Sequence, residues 1–392
     1  MLHLLNGYDG TPAARQRLID GVGDLHRAVV ASRGRGDRDR VARAEADVRA
    51  DPARCVRFAD DGHATVDAAG ARHAGGRFEV PALCDLAARA LGARVRAGRP
   101  AAALRLWIVD GAGPVTDIGA LQATAPPRTL FQVASQFNCL ESPGAFVTDV
   151  AEYLHDPTQG PRASISAFPG TLVRHYAAPA PDGSRFVQVN DGRQIDLLAD
   201  VCDPGVAGVR NGYLRAPDVT DPPAFARALE DRFDAIRVGV HDRVEVVLGA
   251  DWDGAVDGAP HRTIAQVLTS TVAAGMYGEL DDGDRAMAAI CRQLQRAAYL
   301  GTLLAAAALG SERVVLTLIG GGVFANPIQV IWDAILWAAD RVRPFLHRDL
   351  VVVVNGRNLA GQLPPEPLRA AARERGGALV VVDRGGGAAI DP

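Results

Sequence analysis

The chain has 392 residues, 48% hydrophobic and 22% charged, with a formal net charge of -4. This is globular composition with ample length for a core, and without a basic surplus nucleic acid is disfavoured as a main partner. The five cysteines, Cys55, Cys84, Cys139, Cys202 and Cys291, form no close pair, which argues against a disulfide framework or zinc site and fits a reducing cytoplasm.

The opening residues, Met1-Leu2-His3-Leu4-Leu5-Asn6-Gly7, lack the basic and apolar regions of a signal peptide. The apolar run at 300–309 is too short to span a bilayer, so no membrane partner is expected. Abundant Arg, Ala, Gly and Asp read as a GC-rich bacterial coding bias.

Residues 1–75 read as a helical, then irregular, N-terminal extension. Leu18, Val22, Leu25 and Val29 recur at helical spacing over 13–30, and 32–49 is dense in Arg, Asp and Ala, as a solvated helix or linker would be. His63 and His73 lie in a Gly/Ala/Asp-rich loop without ligand spacing and read as exposed, so no metal is expected.

The ordered body starts at Phe78-Glu79-Val80-Pro81, with a helix over 81–91 and a strand over 104–109. A strand over 130–134 follows, then a helix over 158–176. A small hairpin is expected from 186–189 and 194–195 around Asn190-Asp191-Gly192, since Asp-Gly is a strong turn signal. Next come a helix over 222–233 started by Asp221, strands over 236–240, 244–248 and 264–268, and a long Ala-rich helix over 284–309. From 314 the order is strand (314–319), helix (327–346), strand (350–354), helix (367–375), strand (379–382). The apolar strand runs and this alternation predict an α/β sheet covered on both faces, with sites at the carboxyl ends of its strands. No internal repeat is present.

Two stretches carry the chemistry. The first is the strand end at Ser135-Gln136-Phe137-Asn138-Cys139-Leu140-Glu141 with the later turn Asp156-Pro157-Thr158-Gln159-Gly160-Pro161-Arg162. Ser135, Gln136, Asn138, Thr158, Gln159 and Gly160 are poor core residues there but good hydrogen-bonding groups, as one wall of a nucleotide-type pocket needs. Asp156 before Pro157 is either a helix N-cap or a carboxylate that orients a ribose hydroxyl or activates water. Glu141 is a catalytic carboxylate or a local salt-bridge partner, and Arg162 a phosphate contact or a surface residue. Cys139 lacks a histidine partner and reads as a buried, inert thiol.

The second is Gly320-Gly321-Gly322-Val323-Phe324-Ala325-Asn326-Pro327. Glycines after a buried strand expose backbone N–H groups, and a helix starting at Pro327, capped by Asn326, adds the anion preference of a helix N-terminus. This suits a diphosphate; a plain strand-to-helix turn is the alternative. Phe324 is placed to stack on a ribose or base, or to join the core. No Lys-Ser/Thr follows the glycines, as nucleotide hydrolases require, and the next strand ends at Asn355 rather than at the acid of a dinucleotide-binding fold.

The order and spacing of these pieces resemble the macrodomain superfamily, over about 75–383. Val133-Ala134-Ser135-Gln136-Phe137-Asn138 with Thr158-Gln159-Gly160-Pro161 looks like a divergent branch that includes a Legionella effector removing ADP-ribose from ubiquitin. Gly76-Arg77-Phe78-Glu79-Val80-Pro81 and Asn211-Gly212-Tyr213-Leu214 belong to the same pattern. The common Asn-Ala-Ala-Asn of macrodomains stands here as Ala-Ser-Gln-Phe-Asn, and the segment between the two loops is long.

The resemblance implies a three-layer α/β/α macrodomain-like mixed sheet over 76–392, carrying the N-terminal extension 1–75. It implies ADP-ribose or an ADP-ribosylated protein as partner, no cofactor, and hydrolysis of an ADP-ribosyl linkage within NAD metabolism. A non-catalytic ADP-ribose or NAD-metabolite sensor is the alternative. In that frame Gln136 and Asn138 contact the distal ribose, Asp156 is the acid/base, Gly320, Gly321, Gly322, Val323 and Phe324 hold the diphosphate, and Asn355 lies near the adenosine.

Overall fold

The computed structural model describes residues 1–98, 102–111, 113–256, 262–275 and 284–391. The chain begins with helices α1 (Leu2–Leu5), α2 (Pro12–Ser32), α3 (Arg40–Ala50) and α4 (Pro52–Cys55), then strands β1 (Val56–Phe58), β2 (Ala64–Ala68) and β3 (Ala71–Glu79). Next are α5 (Leu83–Ala97), β4 (Leu104–Gly111), α6 (Ile118–Ala123), β5 (Thr129–Ala134), α7 (Gln159–Ser166) and α8 (Phe168–Tyr176). A small ribbon, β6 (Ala178–Pro179) with β7 (Arg185–Phe186), precedes α9 (Pro222–Asp231), β8 (Gly239–Glu245) and β9 (Thr263–Thr269). The last part runs α10 (Arg285–Leu309), β10 (Arg313–Leu316), α11 (Ile328–Val342), β11 (Leu350–Asn355), α12 (Pro365–Glu374), β12 (Leu379–Val382) and β13 (Ala388–Asp391).

Eleven strands form one mixed sheet in the order β1-β2-β3-β8-β9-β5-β10-β11-β4-β12-β13. From β9 to β12 every pair is parallel, with antiparallel strands on both flanks. The continuous apolar runs of β10 and β11 are buried at every position, as strands covered on both faces must be. Two glutamines show the layering. Gln132 on β5 reaches Ala298 O and Thr302 Oγ1 of α10, whereas Gln266 on β9 reaches Ala163 O of α7. Gln266 is in register with Phe131, the neighbour of Gln132, so the two amides point to opposite faces. Helices therefore cover both sides of an α/β sheet.

The N-terminal region is helical to residue 55, but the expected boundary at 75 falls inside β3. The stretch read as irregular supplies three strands of the sheet. On β2 only alanines, Ala64 and Ala68, flank the buried Val66, and on β3 Gly75 and Gly76 lie between the buried His73 and Phe78, so alternation gave little signal. His73, read as exposed, is buried on β3 with Nδ1 3.0 Å from Glu245 Oε1. The expected helix 158–176 is two helices broken at Ala167, with Pro169 in the first turn of the second. The turn at Asn190-Asp191-Gly192 forms, but the expected arms do not pair as strands: Val189 N–H reaches Arg193 O at 3.4 Å, while Phe186 pairs with Ala178 of β6. The two strands expected over 236–248 are one strand, β8, with a bulge between His241 and Val244.

Candidate active site

A cavity of about 380 Å³ opens at the carboxyl ends of β5, β10 and β11. This is where ligands bind in open parallel sheets. Three loops wall it.

The loop after β5 folds back on itself. Gln136 Oε1 accepts the Ser142 N–H at 3.1 Å, while its Nε2 donates to Ser142 O and Tyr213 Oη, both at 3.2 Å. Within that clasp Cys139 takes a left-handed φ of 62°, between the bonds Cys139 N–H to Gln136 O and Gln136 N–H to Leu140 O, both 2.9 Å. Ser135 and Gln136 line the cavity. Asn138 does not: its Oδ1 accepts the Leu140 N–H at 3.0 Å and its Nδ2 donates to Gln194 Oε1 at 2.9 Å. The expected ribose contact at Asn138 is thus corrected to a brace, because a buried loop must pair its own polar groups. Burial pushes the Cys139 thiol up to about 12, which leaves it inert.

Glu141 is different. It lines the cavity, is only 8% exposed, and its carboxyl has no hydrogen-bond partner among the described residues. Burial pushes it well above the ordinary carboxylate range; the nearby Asp156 pushes the same way, and the buried Arg174 pulls back. It is therefore not in a local salt bridge. A Cβ added at Gly160 would lie 2.6 Å from Glu141 Oε1 and from Ala134 O, so glycine is needed where this turn passes the carboxyl.

Asp156 also lines the cavity and is half-buried. Its Oδ1 accepts the Thr158 N–H at 2.9 Å, an Asx-type turn, while the N-cap position of α7 belongs to Thr158. Asp156 is thus not the cap of α7. Thr158, Gln159 and Gly160 line the cavity as well, although Gln159 Oε1 is committed to the Ile118 N–H at 3.0 Å. Arg162 turns away from the cavity. It pairs with Asp117 and Asp251, donates to Pro157 O at 2.8 Å, and lies 5.2 Å from the Trp252 ring. It is a structural hub and not the expected phosphate contact, because two carboxylates already neutralise it.

The turn after β10 brings Gly320, Gly321, Gly322, Val323 and Phe324 to the cavity. Gly320 has a φ of 75°, and a Cβ there would meet Thr271 Cγ2 at 2.6 Å. The N–H groups of Gly320, Gly322 and Val323 donate to no acceptor among the described residues. Asn326, expected as cap and ligand contact, is neither. It is buried, donates to Val272 O and Phe324 O at 2.9 Å, and accepts from Thr271 Oγ1 at 2.9 Å and Gln295 Nε2 at 3.1 Å. Pro327 takes the N-cap position of α11. Asn326 fastens the turn from behind, and Gly322 and Val323 are exposed.

Asn355 ends β11 at the cavity wall. Its Nδ2 donates to Thr116 O at 2.9 Å, while Oδ1 is buried without a partner among the described residues, as is Thr317 Oγ1 on the same wall. Lining residues missed from sequence include Ser142, Tyr213, Ser270, Thr317, Arg357 and Gln362. Tyr213 packs its ring 5.8 Å from that of Phe324. Arg357 forms no ion pair among the described residues, and partial desolvation pulls it below its ordinary value. The rule that placed sites at strand ends would have found Arg357, two residues past the end of β11. No group of three or more His, Cys, Asp or Glu among the described residues is arranged to hold a metal ion.

No family model matches this chain. No curated protein matches it either. Among solved structures it is similar to the poly(ADP-ribose) glycohydrolase of Thermomonospora curvata, at 15% identity and TM-score 0.39, over 86% of this chain and 100% of that one. The same enzyme bound to the inhibitor ADP-HPD gives 13% identity and TM-score 0.37, over 86% and 100%. The poly(ADP-ribose) glycohydrolase of Deinococcus radiodurans in complex with ADP-ribose gives 11% identity and TM-score 0.37, over 76% and 93%.

Proposed function

We propose that this protein binds ADP-ribose and hydrolyses an ADP-ribosyl linkage on a protein or small molecule. The observation that carries the proposal is Glu141, a buried carboxyl with no partner among the described residues, on the wall of a cavity that also receives a turn of backbone N–H groups unpaired among those residues. The N–H groups of Gly320, Gly322 and Val323, with Arg357, suit a diphosphate, and the start of α11 adds partial positive charge. Tyr213 and Phe324 offer ring faces, and the free Oδ1 of Asn355 accepts from a base or a hydroxyl.

The distal ribose then lies between the two carboxyl groups. Burial pushes the Glu141 carboxyl well above the ordinary carboxylate range and so favours its protonated form, which gives its proton to the leaving oxygen as the bond to the anomeric carbon breaks. The oxocarbenium-like centre is stabilised by the Asp156 carboxylate and by the Glu141 carboxylate just formed. Water adds to the anomeric carbon and returns a proton to Glu141, which restores the starting state.

The test is turnover of ADP-ribosylated protein by the wild type and by Asp156→Ala, with release of ADP-ribose as readout. Release by the wild type and a marked loss in the variant are expected. Tight ADP-ribose binding with no release by the wild type would reduce the protein to a binding module.

A further inference from the structure

Helix α3 reaches the site from about a hundred residues upstream. Its Glu45 is 2% exposed and accepts three hydrogen bonds: the N–H groups of Val150 and Ala151, one on each carboxylate oxygen, and the Tyr176 hydroxyl on Oε1. Burial pushes the Glu45 carboxyl up, and its backbone and tyrosine donors pull it back. Val150 and Ala151 open the short 3-10 turn over 150–155, and the chain leaves that turn at Asp156, whose N–H returns to Tyr153 O at 3.1 Å.

The same helix packs on this segment through apolar contacts. Val41, Ala44 and Val48 share one buried cluster with Val150, Tyr153, Phe168 and Tyr176. On the outside Arg49 pairs with Asp149 at 2.5 Å, with both side chains about half exposed. The segment 142–158 has no strand and, of helix, only the six-residue 3-10 stretch over 150–155. Its position depends on what holds it from outside, and a two-oxygen carboxylate bound to successive N–H groups is a directional, charge-assisted hold.

We propose that Glu45 is a positioning residue for the site: it fixes the segment that carries Asp156 and follows Glu141, so that both carboxyl groups face one cavity. Its catalytic consequence rests on the hydrolytic reading above. The brace acts on the loop that carries the chemistry and not on the glycine turn that binds the anion. Loss of the brace therefore lowers turnover more than affinity.

The experiment compares Glu45→Gln, Glu45→Ala and Arg49→Ala with the wild type by amide hydrogen exchange, ADP-ribose titration and turnover of ADP-ribosylated protein. In both Glu45 variants, exchange over 150–158 should rise by about tenfold or more while β5, β10 and β11 keep their protection. The kcat should fall by about tenfold, with the Kd for ADP-ribose within about threefold of wild type. Arg49→Ala, which removes only an exposed pair, should match the wild type.

Unchanged exchange over 150–158, or faster exchange with unchanged kcat, would overturn the proposal. The near-isosteric Glu45→Gln decides the matter if Glu45→Ala does not fold. If the wild type itself releases no ADP-ribose, the hydrolytic reading falls, and exchange over 150–158 alone then supports or overturns the brace.

Discussion

The loop after β5 and the turn after β10 meet across one cavity, yet they use their polar groups in opposite ways. In the first, Gln136 and Asn138 spend their amides on Leu140, Ser142, Gln194 and Tyr213, and the Glu141 carboxyl is left without a partner among the described residues. In the second, Asn326 ties the turn from behind while the N–H groups of Gly320, Gly322 and Val323 stay unpaired among the described residues. A buried unpaired acid is costly and is tolerated where a ligand completes it, whereas the donors lie on a turn whose Gly322 and Val323 are exposed, so water serves them until an anion takes its place. The difference teaches a division of labour, with chemistry on the β5 side and anion binding on the β10 side.

The largest expected effect separates the two walls most sharply. Glu141→Gln should lower kcat by about a thousandfold, within the range for removing a general acid, and leave the Kd for ADP-ribose within about threefold. A parallel loss of binding, read by calorimetry on the same preparation, would erase the division.

The mirror-image change is Gly320→Ala. At a φ of 75°, with Thr271 Cγ2 2.6 Å from the new Cβ, it should cost about 1–3 kcal/mol and weaken ADP-ribose binding by at least about tenfold. Gly322→Ala, where the added carbon meets nothing within 4 Å, is the control and should bind like the wild type. Equal effects at the two glycines would break the claim that the shape of the turn matters.

Arg357→Ala should weaken ADP-ribose binding by about tenfold, and the loss should shrink as salt is raised. An unchanged Kd would remove Arg357 from the anion-binding side.

The smallest expected effect is on stability. Glu141 holds its proton in the fold above the ordinary carboxylate value of 4.5. Below that value both folded and unfolded wild type are protonated, and pH acts alike on wild type and Glu141→Gln. As pH climbs from there towards the raised folded value, the unfolded wild type ionises first, so wild-type stability falls relative to the variant. The gap should grow by no more than about 1.4 kcal/mol per pH unit, read as the difference in melting temperature across a pH series. A gap that shrinks with rising pH would mean that Glu141 is ionised in the fold.

Much of the frame was legible because it is written in long apolar runs. The segments that became β5, β10 and β11, and the turns that follow them, could be placed from strand runs and glycines alone. That rule also put Glu141, Asp156 and the Gly320 turn at one cavity. What the sequence hid was direction. Asn138, Asn326 and Arg162 are the residue types a ligand wants, but they are also the types a buried loop wants for its own hydrogen bonds. Only the fold shows that Gln194, Gln295 and Asp117 take them. Tyr213 was hidden for the opposite reason, since its partner Phe324 lies over a hundred residues away. Strand β2 was missed because alanines flank Val66 on its inward face, and β3 because Gly75 and Gly76 interrupt its buried row.

Calorimetric titration of the wild type and Glu141→Gln with free ADP-ribose tests the cavity most directly. Saturable one-to-one binding by both proteins, with similar Kd, is expected. Absence of binding by the wild type at millimolar ADP-ribose would contradict both the ligand and the chemistry assigned to this site.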